Sequence, residues 1–308
     1  MPAVRSLMIE KKFAQKPISG YNKCKDRIIN GNDLRQEQIV NRSDTARFKR
    51  EGADMNVAEI VRQRISQYEE AEPILFKELT YDLNQNKAAA YVAINRMMHE
   101  NVIKQFEKGI YYKPKRTRFG TLSLNKDKLI RKKYFQERNG YITGPVLWNQ
   151  WGLTSQLPNR QWIALEIRQK RLDSSLNVLL LKAKTTVTAE NSLALQFLDV
   201  LDQIELIPDT RVEASLAKLI EIFRNRLSTV DKRLTLKLAV FYRRSVQVLL
   251  GLIAETTVND GELLVQLKNY QELVSKGKKV ILAVDPIIFD GNRSWGNGYA
   301  TASKSSGL

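Results

Sequence analysis

The stretch from Asn56 to Pro114 constrains this chain most: its apolar residues follow a helical period three times and then switch directly to a strand period. Asn56-Val57-Ala58-Glu59 reads as a helix start, with Asn56 as N-cap and Glu59 able to reach back to it. Val57, Ile60, Val61, Ile65 and Tyr68 recur at helical spacing and predict a first helix to about Tyr68. Pro73 breaks the chain, and a short second helix fits Leu75–Leu83. A polar turn then leads to Asn86, an N-cap for a third helix through Asn101. Ala90, Ile94, Met97 and Met98 form one face of that helix; Ala88, Val92 and Asn95 lie opposite, flanked by Tyr91 and Arg96. Val102–Phe106, the turn Glu107-Lys108-Gly109 and Ile110–Pro114 predict a β-hairpin with glycine where positive φ is wanted. Tyr111 and Tyr112 alternate along its second strand, so at least one packs into the core. Three short helices followed at once by a hairpin predict a winged helix-turn-helix.

Charge singles out the same region. The chain carries 50 basic against 33 acidic residues, net +17, which favours a polyanionic partner. The excess is not spread evenly. Residues 55–101 hold five basic and seven acidic side chains. Residues 102–135 hold eleven basic side chains against Glu107 and Asp127 alone. Residues 1–54 carry twelve basic and seven acidic side chains without sustained periodicity. They read either as a basic, disordered arm or as sequence upstream of a natural start at Met55.

Beyond the hairpin, a basic helix near Lys126–Gln136 leads to a second region. There Gly144–Trp151 reads as a short helix, and Gln161–Ile167 and Leu176–Ala183 as strands. Three amphipathic helices follow. One carries Leu193, Phe197, Val200, Leu201 and Ile204; the next carries Val212, Leu216, Leu219, Ile220 and Phe223; the last spans Leu234–Ala254. Lys279–Val284 reads as a final strand. The expected fold class is α+β, with an N-terminal winged helix-turn-helix, then a larger mixed domain with a small sheet and a C-terminal helical bundle. The expected divisions are an arm at 1–54, the winged helix at 55–118, the second domain at 119–290 and a flexible tail at 291–308.

Several classes are disfavoured. No apolar run of membrane-spanning length and no apolar signal core occurs, and the lone Cys24 and lone His99 argue against a disulfide or a structural zinc site. The expectation is a cytoplasmic protein without cofactor. Phosphate-binding glycine loops and serine elbows are missing. A restriction-type nuclease would need a carboxylate where the strand Leu179-Leu180-Leu181-Lys182 has Leu180. Glu190, Asp199, Asp202 and Glu205 read as solvated helix faces, and no catalysis is expected.

The major groove admits a helix whose N-terminal half reaches base edges. On that basis Lys87, Ala88, Tyr91, Val92 and Asn95 face the groove, with Asn95 able to bond adenine bidentately, and Arg96 reaches phosphate. Lys108 at the wing tip and Lys113, Lys115, Arg116 and Arg118 at its exit would follow the backbone or enter the minor groove. The alternatives are a winged helix that docks a protein, and a transcriptional regulator with a ligand-sensing second domain.

Lys108–Pro114, the segment Gly152-Leu153-Thr154-Ser155-Gln156-Leu157-Pro158 ahead of a strand, and Tyr242–Gly251 ending in Leu-Leu-Gly together resemble the AbiEi-type antitoxins of bacterial type IV toxin–antitoxin systems. The similarity covers roughly residues 57–255. It implies a repressor that binds double-stranded operator repeats before its own operon. It also implies a second domain that counteracts a nucleotidyltransferase-like toxin without a stable complex. Arg243-Arg244 stand where that pattern expects prolines, and the last fifty residues and residues 1–54 depart from it. Gly152–Pro158 has a plainer reading as well, with Gly152 ending a helix and Pro158 fixing the start of the strand.

Overall fold

The computed structural model describes residues 56–83 and 86–300, so the expected N-terminal arm lies outside the described residues. The chain is of mixed α+β class, with small sheets and many helices. No helix among the described residues is long and apolar enough to cross a membrane.

The first layer is helical: α1 (Val57–Ser66), the short α2 (Phe76–Leu79) and α3 (Lys87–His99). Asn56 caps α1 by accepting from the Ala58 amide at 3.1 Å. The second helix is shorter than its sequence suggests: Leu75 is drawn out with Ile74 as a strand, β1, that pairs with β3, and Thr80 leaves helical geometry (φ −125°, ψ 17°) at the other end. Asn86 precedes α3 but makes no side-chain capping bond. Strands β2 (Lys104–Glu107) and β3 (Ile110–Tyr112) form the expected hairpin, with Gly109 at φ 78° in its turn, and the sheet order is β1-β3-β2. A second hairpin follows that the sequence reading did not separate: β4 (Lys115–Thr117) and β5 (Gly120–Leu122).

The basic helix α4 (Lys126–Ile130) continues as a π-helical turn, Arg131–Gln136. Next come β6 (Tyr141–Thr143), α5 (Pro145–Gln150), β7 (Gln161–Leu165), β8 (Arg171–Asp173) and β9 (Val178–Lys182). They make a four-stranded sheet of order β6-β7-β9-β8 in which only β7 and β9 are parallel. Helices α6 (Ser192–Asp202), α7 (Val212–Asn225), α8 (Thr229–Leu238), α9 (Arg244–Thr257) and α10 (Gly261–Ser275) share one large core, which Tyr141 and Ala164 of that sheet join. Strands β10 (Val280–Leu282) and β11 (Asn297–Tyr299) pair in parallel beside them.

Strand alternation builds the layers. On β3, Tyr111 points into a core with Val61, Ile65, Ala90, Ile94 and Met97, while Ile110 and Tyr112 point the other way. They enter a central core with Leu129, Ile130 and Tyr134 of the basic helix and Ile163, Leu165, Val178 and Leu180 of the four-stranded sheet. Ala164, on the opposite face of β7, joins the large helical core. The two sheets therefore share a core, and it runs across the expected boundary at residue 118. That boundary also cuts through the β4–β5 hairpin.

Two other expectations change. The helix read as Leu234–Ala254 is two helices, because Tyr242 leaves helical geometry (φ −105°, ψ 164°) and sends its hydroxyl to Asp199 Oδ1 at 2.7 Å. The expected tail from 291 is folded as far as residue 300. Trp295 is fully buried, donates from Nε1 to Glu255 at 2.7 Å, and lies on Gly251, where any Cβ would come within 2.3 Å of the indole. Residues 301–308 lie outside the described residues.

Candidate nucleic-acid interface

Helix α3 buries Ala90, Ala93, Ile94 and Met97, and this fixes which face it presents. Lys87, Ala88, Tyr91, Val92 and Arg96 are exposed and Asn95 is half-buried, so all six expected α3 residues reach the surface. Ala88, Tyr91, Val92 and Asn95 follow one stripe at helical spacing. The Tyr91 ring is held edge-on against Phe76, with centroids 5.3 Å apart. Phe76 is tied in turn to the hairpin turn by its amide bond to Gly109 O at 2.8 Å. Burial pushes the Tyr111 hydroxyl beneath up to about 12, and the Tyr91 phenol adds to the shift. Lys87 and Arg96 have no carboxylate partner among the described residues.

The eleven cations of residues 102–135 divide into those the fold uses and those it leaves free. Lys128 pairs with Glu69 at 3.0 Å. Lys132 reaches Glu78 at 3.3 Å, Glu72 at 3.7 Å and Pro73 O at 2.8 Å. Lys133 bridges Glu107 at 3.4 Å and Asp173 at 2.8 Å. Lys113 donates to the Ser66 carbonyl at 3.1 Å, at the C-terminal end of α1 where a cation suits the helix dipole. Lys128, Lys132 and Lys133 pin the first layer to the segment carrying α4 and to the second sheet, whereas Lys113 ties the end of β3 to α1. Lys104, Lys108, Lys115, Arg116, Arg118, Lys126 and Arg131 have no carboxylate partner among the described residues.

The expected wing cations are thus not one cluster. Lys108 sits at the β2–β3 turn, beside Glu107, which also accepts from Ser175 in the turn between β8 and β9. Lys115, Arg116 and Arg118 lie on the separate β4–β5 hairpin, beyond the opposite end of β3. Sequence reasoning missed Phe119 at the tip of that hairpin, although Thr-Arg-Phe-Gly between short runs of strand formers was a visible turn signal.

Asp173 organises the inner network. Burial works against its ionisation, but hydrogen bonds from Lys133, Ser175 and Tyr134 outweigh it and hold the carboxyl below the usual carboxylate range. Asp199, expected on a solvated face, is buried instead. Loss of water pushes its carboxyl up to about 6 despite bonds from Tyr242 and Tyr141. Asp202 is ion-paired with Lys184 and Arg243.

The Gly152–Pro158 segment is used locally. Gly152 (φ 70°) ends α5 in a left-handed turn, with the Leu153 amide bonded to Trp148 O at 2.8 Å. Thr154, Ser155 and Gln156 all donate side-chain hydrogen bonds to Asp209. Its polar groups therefore fix the turn, and Leu157 is its one exposed large apolar side chain.

No family model matches this sequence, and no curated protein matches it. Among solved structures, the chain is similar to the crystal structure of the RV2827C protein from Mycobacterium tuberculosis. The TM-score is 0.40 and the identity 12%, over 76% of this chain and 88% of that one.

Proposed function

We propose that this protein binds duplex DNA, with α1–α3 and the β2–β3 hairpin working as a winged helix and α3 lying in the major groove. The observation that carries this reading is the free face of α3. Ala88 and Val92 offer close approach or contact to a thymine methyl, Asn95 offers an amide for adenine, and Lys87 and Arg96 flank them with no acidic partner among the described residues. The seven free cations of residues 102–135 supply phosphate contacts around it. The wider role we assign is that of an antitoxin of the type IV class. It represses its own operon at operator repeats and opposes a nucleotidyltransferase-like toxin without a stable complex. This wider role rests on the resemblance carried by Lys108–Pro114, Gly152–Pro158 and Tyr242–Gly251.

The test is binding of the full chain to the DNA upstream of its gene across a salt series. Replacing Lys108, Lys115, Arg116 and Arg118 together by alanine weakens binding to all sequences and flattens the log–log salt slope by up to about 0.9 per phosphate contact removed. Asn95→Ala costs about 1–3 kcal/mol on the preferred sequence and little on others. An unchanged slope in the quadruple variant together with unchanged selectivity in Asn95→Ala overturns the reading.

A further inference from the structure

The β4–β5 hairpin exposes an aromatic ring at the end of a cationic prong, and nothing in the fold uses it. Its last cross-strand pair is Thr117 with Gly120, so Arg118 and Phe119 form the loop, and Gly120 takes φ 119° to close it. Thr117 Oγ1 donates to Gly120 O at 2.7 Å and accepts from the Phe119 amide at 3.3 Å, which braces the tip. Phe119 is 87% exposed, the most exposed large apolar side chain among the described residues. The Arg118 guanidinium lies 4.7 Å from its ring centroid. The base is firm: Leu124 is buried in the central core, and the Asn125 amide bonds Ala71 O at 2.8 Å. From Lys113 to Lys126 the sequence has five cations and no acid. Four of them, Lys115, Arg116, Arg118 and Lys126, have no carboxylate partner among the described residues.

A phenylalanine left in water forgoes roughly 1.5–3 kcal/mol of burial that a partner can recover. A single ring on a stiff, purely cationic ribbon fits a base-pair stack better than a lipid surface, since even one whole acyl chain gives only marginal membrane binding. Apolar wedges of this kind enter the minor groove, unstack a single base step and bend the duplex, while the flanking cations hold the phosphates on either side. We propose that Phe119 is such a wedge, inserted between base pairs with Lys115, Arg116 and Arg118 on the adjoining phosphates, so that this hairpin kinks the DNA that α3 reads. The inference rests on the duplex-DNA reading above and assigns to the second hairpin a role distinct from that of the β2–β3 turn.

The experiment uses the full chain and short mixed-sequence duplexes in which aminopurine replaces adenine at successive positions. Aminopurine fluorescence rises when its step is unstacked, and anisotropy gives the affinity. Wild type brightens at least one position. Phe119→Ala abolishes the brightening and weakens binding on the order of tenfold, as expected for loss of one stacked ring, with the salt slope unchanged. Phe119→Leu, which keeps an apolar wedge, retains a fraction of both signals. Equal affinity and equal fluorescence in wild type and Phe119→Ala overturn the wedge while leaving duplex binding intact. No binding by wild type to any duplex overturns the parent reading as well. Phe119-dependent binding to phosphatidylserine vesicles, with no aminopurine response, overturns the wedge in favour of a membrane contact.

Discussion

The two consecutive hairpins of this protein have similar lengths and opposite fates. In β2–β3, every residue of the second strand is buried, with Tyr111 against the α1–α3 layer and Ile110 and Tyr112 against the second sheet. In β4–β5 no residue is buried, and the largest side chain, Phe119, stands in solvent. Their charges differ in the same way. Glu107 of the first hairpin is locked to Lys133 and Ser175, whereas Lys115 and Arg116 of the second have no carboxylate partner among the described residues. A strand covered on both faces is fixed by packing and has little freedom to serve a ligand. A ribbon covered on neither gains no burial from its own side chains and must owe its shape to its braced tip and anchored base. Position in the chain does not separate the two; the layers they enter do.

The sharpest way to break this contrast is to remove one aromatic from each hairpin. Tyr112→Ala empties a site in the central core that joins both sheets, and the expected loss is about 3–5 kcal/mol, the range for large aromatics removed from cores. Phe119→Ala removes a side chain that touches mainly water, and the expected change stays within about 0.5 kcal/mol. Urea unfolding midpoints at constant slope measure both. Comparable losses in the two variants mean that the second hairpin is packed after all, and the contrast fails.

How much of this was legible in the sequence depends on what held each element. Helix α3 and its buried stripe Ala90, Ile94 and Met97 were readable because a periodic apolar face names its own geometry. The β2–β3 hairpin was readable because Gly109 marks the reversal. The split between α8 and α9 was not, since it depends on Tyr242 turning toward Asp199, a partner more than forty residues away. Asp199 was misread for the same reason: helical spacing says which side a residue is on, not whether another layer covers that side. Within the candidate interface, the α3 face followed from periodicity. The division of the basic run did not, because Lys128, Lys132 and Lys133 are removed from it by Glu69, Glu72, Glu78 and Asp173 from elsewhere in the chain and by Glu107 from more than twenty residues away within the run. Helix α10 was readable and was missed: Asp260 caps it, and Leu263, Leu267, Tyr270 and Val274 repeat at helical spacing.

A middle-sized effect tests the claim that some of these cations belong to the fold. Lys133→Met leaves Asp173 and Glu107 without their shared cation at the seam between the layers, and a loss of about 1–3 kcal/mol is expected at neutral pH. The sign of the pH dependence follows from Asp173. Its folded pKa lies below the unfolded value near 3.9, so it contributes stability above that value and loses it as pH falls through the folded pKa. Lys133→Met removes a main cause of the depression, so its stability falls less between about pH 5 and the acid limit than that of wild type. Parallel acid limbs in the two proteins remove Asp173 from the account.

The smallest effect is the most discriminating, because it compares two lysines only two positions apart. Lys113 caps α1 through the Ser66 carbonyl, while Lys115 starts the exposed hairpin without a carboxylate partner among the described residues. Both become methionine with the same loss of charge. Lys113→Met costs about 0.3–1 kcal/mol of stability, the usual range for a cation at a helix C-terminus, and leaves the salt slope of DNA binding in place. Lys115→Met leaves stability within about 0.5 kcal/mol and lowers the slope by about 0.9, the signature of one phosphate contact. Equal slopes in the two variants would mean that the two lysines act as one diffuse field. The division between cations that hold the layers together and cations that meet DNA would then have no basis, however clear the ion pairs.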